Sequence, residues 1–119
     1  MKHLITAYCY NKRGALISHA HNSYTKSHPL QAYFAKKVGH PNKIYLHAEI
    51  AALVQAGTME TNQVHEISIV RINKAGEIRP SKPCSICQEA LKAFGVHQVV
   101  YTNSHGFSVT EKVDELEKS

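Results

Sequence analysis

Two hydrophobic periodicities take turns along this sequence, and their order leaves few architectures open. Leu4 to Tyr10 and Ala15 to Ala20 are strand-like runs separated by the turn cluster Asn11-Lys12-Arg13-Gly14, so the chain opens on an antiparallel hairpin. After the polar stretch His21 to Ser27, Pro29 supplies a first-turn helical residue, and Leu30, Tyr33, Phe34 and Val38 recur at helical spacing until Gly39. A linker, His40 to Lys43, leads to a second helical face of Ile50, Leu53 and Val54, capped by Gly57 and starting close to His47. Glu66 to Ile72 is rich in Ile and Val, as an inner strand is, and Asn73-Lys74-Ala75-Gly76 ends it. Pro83 opens a third helix in which Cys84, Cys87, Leu91 and Phe94 share a face, with Gly95 closing it.

Val96 to Thr102 reads as a fourth strand. The tight turn Asn103-Ser104-His105-Gly106 leads to Phe107-Ser108-Val109, and so short a connection joins antiparallel strands only. Ser108-Val109-Thr110-Glu111 also satisfies a capping box, and the reading is a short fifth strand followed by about two helical turns with Val113 and Leu116 inward. The alternation predicts a three-layer α/β/α fold, with a central mixed sheet of about five strands and a C-terminal antiparallel hairpin. No linker, repeat or low-complexity stretch divides the 119 residues, so residues 1–119 are read as one domain, with enough apolar content (43%) for a core without disulfides.

Two segments carry chemistry that fits together: Leu46-His47-Ala48-Glu49 at the second helix start and Lys82-Pro83-Cys84-Ser85-Ile86-Cys87 at the third. Cys84 and Cys87 point to the same side of a helix N-terminus, where the positive end of the dipole stabilises thiolates. One imidazole from the other helix start completes an N-S-S donor set that suits zinc and leaves a fourth tetrahedral position open. Zinc lowers the pKa of bound water toward about 7, making hydroxide available at neutral pH. Glu49, two residues after His47, is placed to move protons without ligating the metal, which assigns a hydrolytic deamination. Two alternatives stay open for the cysteine pair: a redox pair of the thioredoxin type, or a closed structural zinc completed by His97 or His105. Cys9, inside the first apolar run, reads as a small buried hydrophobe.

With those residues in view, the chain resembles the cytidine deaminase-like superfamily, whose zinc signature is HxE followed by PCxxC. Both halves match, as His47-Ala48-Glu49 and Pro83-Cys84-Ser85-Ile86-Cys87, and the element order is similar over nearly the whole chain. Histidine rather than cysteine in the first ligand position makes it more similar to deoxycytidylate and tRNA adenosine deaminases than to free cytidine deaminases. The resemblance implies Zn2+ as cofactor, His47, Cys84 and Cys87 as metal ligands, Glu49 as the proton shuttle, and Asn22 and Ala48 as substrate-binding residues. It also implies assembly as a homo-oligomer. Lys82 stands where family members tend to have Glu, Ser or Thr before the Pro-Cys pair.

Of the remaining side chains, Tyr24, Tyr45, Tyr101 and Phe107 are candidates to stack on a base. Tyr101 fits the core better because it continues a strand, and Phe107, after its turn, is the better substrate-binding candidate. His19, His21 and His28 crowd the expected pocket rim and read as surface or hydrogen-bonded histidines. The function read here is deamination of cytosine in a free nucleoside or nucleotide by zinc-bound hydroxide. The alternatives are an editing enzyme acting on cytosine or adenine in single-stranded DNA or RNA, and a non-enzymatic zinc or nucleic-acid-binding module. A formal charge of +5 and a pI of 9.2 favour anionic partners without selecting one. No apolar run approaches the roughly 20 residues that span a bilayer, and Met1-Lys2-His3 leads into a strand in place of a signal peptide. The expectation is a cytoplasmic protein with no membrane partner.

Overall fold

The structure is a computed structural model that describes residues 3–116. The opening hairpin forms as expected, with β1 (Leu4–Tyr10) antiparallel to β2 (Leu16–His21). Three helices follow the predicted starts: α1 (Pro29–Lys37), α2 (Ala48–Ala56) and α3 (Ser85–Ala93). The inner strand β3 (Glu66–Ile72) pairs antiparallel with β1 along its full length. On its other edge β3 runs parallel to β5 (Gln98–Thr102), and β5 pairs antiparallel with β6 (Ser108–Lys112). The sheet order is β2-β1-β3-β5-β6, a mixed sheet in which α3 crosses between the parallel strands.

Two details go beyond the sequence reading. The Asn73 to Gly76 cluster does more than end β3: it turns the chain back so that β4 (Ile78–Arg79) pairs with the distal end of β3, adding a sixth strand. The Asn73 amide oxygen accepts from the Ala75 and Glu77 N–H groups, and Gly76 takes a φ of 80°, a region open to glycine without strain. At the C-terminus, strand pairing extends to Lys112 and gives way to a single 3-10 turn, Val113–Glu115, in place of two helical turns. Five cross-strand pairs with β5 outcompete the local capping-box option. Val113 and Leu116 nonetheless point inward as expected, both buried. Residues beyond Leu116 lie outside the described residues, as do Met1 and Lys2.

Burial alternates along the central strands. Ala7, Cys9, Ile67, Ile69, Val99 and Tyr101 are buried, while Tyr8, Ser68, Val70 and Val100 between them are half-buried. The buried face carries the helices: α2 packs across β1 and β2, and α3 packs against α1 and α2. Phe34, Ile50, Leu53, Ile67, Ile86 and Leu91 fill the space between helices and sheet, and truncating any of them costs about 2–5 kcal/mol. Cys9 is a buried core residue, its thiol pushed up to about 11 by burial. Among the described residues no helix is long and apolar enough to cross a membrane.

Candidate metal centre and substrate cavity

The starts of α2 and α3 meet over the buried face of the sheet. His47 is the N-cap of α2 and Cys84 the N-cap of α3, both in extended backbone conformation, and neither side chain makes a capping hydrogen bond. Ordinarily the cap side chain would accept from a first-turn N–H. Here the freed side chains turn toward each other. His47 is held by its surroundings: its N–H donates to the side-chain oxygen of Gln31, a fully buried residue of α1 that also donates to the Lys43 carbonyl. Neighbouring Leu46 is clamped by donating to the Lys26 carbonyl and accepting from Ser23 N–H. On α3, Gln88 closes the first turn by donating from its backbone to the Cys84 carbonyl and from its side chain to the Pro83 carbonyl.

His47 Nδ1 lies 3.3 Å from Cys87 Sγ and 3.6 Å from Cys84 Sγ. All three potential ligand atoms fall within 4.8 Å of one another. Zinc bonds of about 2.0 Å to nitrogen and about 2.3 Å to sulfur at tetrahedral angles separate nitrogen from sulfur by about 3.5 Å, so the donor set fits zinc. Among the described residues no fourth His, Cys, Asp or Glu joins the group. His97 instead stacks on His65, 4.6 Å between ring centroids, and His105 sits in the β5–β6 turn. The closed structural site therefore does not form from either. The cysteines are free thiols, not a disulfide.

The donor atoms and Glu49 perturb one another's proton affinities. A hydrogen bond from Cys87, reinforced by His47, holds the Cys84 thiol down at about 4 against the effect of burial. Cys87, donating to Cys84 and fully buried, is pushed well above the usual thiol range. His47 is raised, chiefly by its hydrogen bond to Cys84. Glu49, also buried at 6% exposure, is raised first by burial and then by the charge on Cys84. Its carboxyl lies beside the sulfurs without joining the donor group.

A cavity of about 410 Å³ opens onto the centre, and His47, Glu49 and Cys84 are among the residues that line it. Asn22 lines it too, although its amide is engaged: the oxygen accepts from Ile5 N–H and the nitrogen donates to the His3 carbonyl. Ala48 is buried between His47 and Glu49 and presents no side chain to the cavity. Tyr24 and Tyr45 line the outer part and are exposed, whereas Tyr101 is core, its hydroxyl donating to Glu111. Phe107 is not brought to the cavity; it is 69% exposed in the β5–β6 turn. The three histidines near the expected rim have other tasks. His28 caps α1, His21 bonds Thr6, and His19 rests on Tyr8. Sequence reasoning passed over Gln31, Lys43 and Arg71. The signal for Arg71 is parity: it shares the inner face of β3 with Ile67 and Ile69, where a charge is out of place.

The comparisons with known proteins agree with this geometry. The family model described as the cytidine and deoxycytidylate deaminase zinc-binding region matches residues 1–103. The fold is similar to that of cytidine deaminase from Burkholderia pseudomallei, with a TM-score of 0.63 at 19% identity, over 96% of this chain and 78% of that one. None of the curated proteins matches the chain. A mixed sheet with two helix starts converging on a His/Cys/Cys donor set defines a zinc-binding α/β domain. This chain belongs to the cytidine and deoxycytidylate deaminase zinc-binding family, and the cofactor to which the family and the donor set point is zinc.

Proposed function

We propose that the protein, acting as one domain over residues 1–119, is a zinc-dependent hydrolytic deaminase of a nucleobase, with cytosine in a free nucleoside or nucleotide as substrate. The observation that carries this reading is the buried Glu49 beside three convergent donors, with Glu49, His47 and Cys84 lining a cavity large enough for a base and its sugar. His47 Nδ1 and the sulfurs of Cys84 and Cys87 would hold the ion. When bound, zinc supplies the Lewis acidity that makes water a nucleophile at neutral pH. Glu49 takes a proton from that water and passes protons to the ring nitrogen and to the amine, which leaves as ammonia while a carbonyl replaces it. Burial favours the protonated form of Glu49 and so suits it to giving the proton back. Ala48 contributes the backbone N–H that heads α2 and has no partner within the helix, a donor for the base edge. Asn22 contacts the sugar through the hydrogen-bonding capacity its two backbone bonds leave over. Phe107 reaches a base only if substrate or a second subunit covers its turn, since it stands outside the cavity. A cytoplasmic, homo-oligomeric enzyme completes the reading.

A second reading, editing of single-stranded DNA or RNA, is favoured by the exposed Tyr24 and Tyr45 at the cavity mouth, which offer faces for stacking. Mass spectrometry of a panel of bases, nucleosides, nucleotides and short single strands, scored for conversion of amine to carbonyl, separates the two. The first reading predicts conversion of monomers, with little further gain for oligomers. Conversion of oligomers alone would select the second, and no conversion of any member would remove both.

A further inference from the structure

Among the described residues Arg71 is a cation without a counter-ion, and it lines the cavity of the proposed active site. It stands two residues beyond Ile69 on β3, so strand alternation turns both toward the helix-covered face, and both line the cavity. Its Nε is buried with no hydrogen-bond partner. The ion pairs among the described residues, Lys37 and Lys92 with Glu89, do not involve it. Directly across in β4 is Arg79, which adds like charge where an acid would be expected. Lys43 and Lys82 line the same cavity, and Glu49, sunk beside the cysteine sulfurs, is the one carboxylate among the lining residues. Native proteins seldom leave a buried donor unmet, and a guanidinium is the side chain best shaped to grip a phosphate through two parallel hydrogen bonds.

We infer that the substrate carries a phosphate received by Arg71, with Lys43 and Lys82 flanking it, so that the enzyme acts on a nucleotide in preference to a nucleoside. Three cations around a partly enclosed cavity concentrate an anion there before any specific contact is made. The geometry is ordered for such a ligand. His47 and Glu49 line the cavity at the donor set, Asn22 is joined to Ile5 by accepting its N–H, and Arg71 pairs across the sheet with that same Ile5. Ser81 fixes the backbone next to Lys82 by donating its hydroxyl to the Ile69 carbonyl and accepting from Thr102 N–H. Arg71 is thus held on a strand, and Lys82 follows a residue pinned to β3 and β5. The inference deepens the deaminase reading but can be tested separately from it.

The test is isothermal titration of the zinc-loaded full chain with cytidine, cytidine 5′-monophosphate, inorganic phosphate and a short oligodeoxycytidylate. The monophosphate should bind at least about tenfold tighter than cytidine, with inorganic phosphate competing. Arg71→Gln should bring the ratio of the two affinities close to one, and Arg71→Lys should keep part of it. If Arg71→Gln does not fold, the wild type still decides: raising salt from about 0.05 to about 0.5 M should shrink the ratio severalfold and leave cytidine binding nearly flat. Equal affinities in the wild type, an equal loss for both ligands in Arg71→Gln, or a phosphate-dependent gain confined to the oligomer would each overturn the proposal. Turnover is recorded in parallel. Arg71-dependent binding without any conversion would remove the deaminase reading and keep this one. Equal kcat/KM for cytidine and its monophosphate would do the reverse.

Discussion

The three helices begin in the same way and use that beginning differently. At α1 the N-cap His28 does what a cap does: its Nδ1 accepts from Leu30 N–H, 3.0 Å away, ahead of Pro29 at the first helical position. At α2 and α3 the N-caps are His47 and Cys84, with the same extended backbone but no capping bond. Each forgoes a contribution of about 0.5–2 kcal/mol to helix stability. What those two starts gain is convergence: the unspent donors of His47, Cys84 and Cys87 fall together, at the positive ends of two helix dipoles. The lesson is that a local rule broken twice at facing positions marks a site, whereas the same rule obeyed at α1 marks scaffold.

Removing a shared donor should break that contrast most severely. Cys87→Ala should abolish zinc binding and activity, and the zinc-dependent stabilisation it forfeits is about 4 kcal/mol when free zinc stands about a thousandfold above Kd. Metal analysis and urea unfolding with and without chelator measure both. Next comes the proton carrier. Glu49→Gln should keep a full complement of zinc while kcat falls by about 10²–10⁴-fold, measured by ammonia release, and unchanged turnover would refute the role given to Glu49. Cys84→Ser sharpens the comparison, because serine is a good cap and a poor zinc ligand. It should weaken zinc binding, yet in metal-free protein raise stability by about 1 kcal/mol over metal-free wild type. Smallest is His28→Ala, which should cost about 0.5–1 kcal/mol of stability and leave zinc content and deaminase activity alone. A fall in zinc occupancy in that variant would erase the distinction between scaffold cap and site cap.

The features readable in advance were those whose physics is local. Pro83 before Cys84, the paired cysteines, and His47 two residues before Glu49 are helix-start signals that need no tertiary information, and the structure brings their donors within bonding reach of one ion. Strand and helix order was legible for the same reason. Features decided by competition were not. Ser108 to Glu111 satisfies a capping box and a strand alternation equally well, and only pairing with β5 resolves it. On α1, Tyr33 sits at a core spacing but is 55% exposed, while polar Gln31 is fully buried because His47 N–H and the Lys43 carbonyl need its two ends. Arg71 was hidden in a run of Ile and Val, its charge meaningful only once the register with β1 fixed which face it occupies. The placement of Phe107, exposed in the β5–β6 turn, was not legible either, because an aromatic after a turn looks the same in sequence whether it faces a cavity or solvent.

Anomalous diffraction at the zinc edge on zinc-loaded crystals addresses the shared-cap centre most directly. The account predicts one peak, bonded to His47 Nδ1 and to the sulfurs of Cys84 and Cys87, with its fourth contact to solvent or substrate within hydrogen-bond reach of Glu49. A fourth contact from a protein side chain, or no peak between the two helix starts, would contradict it.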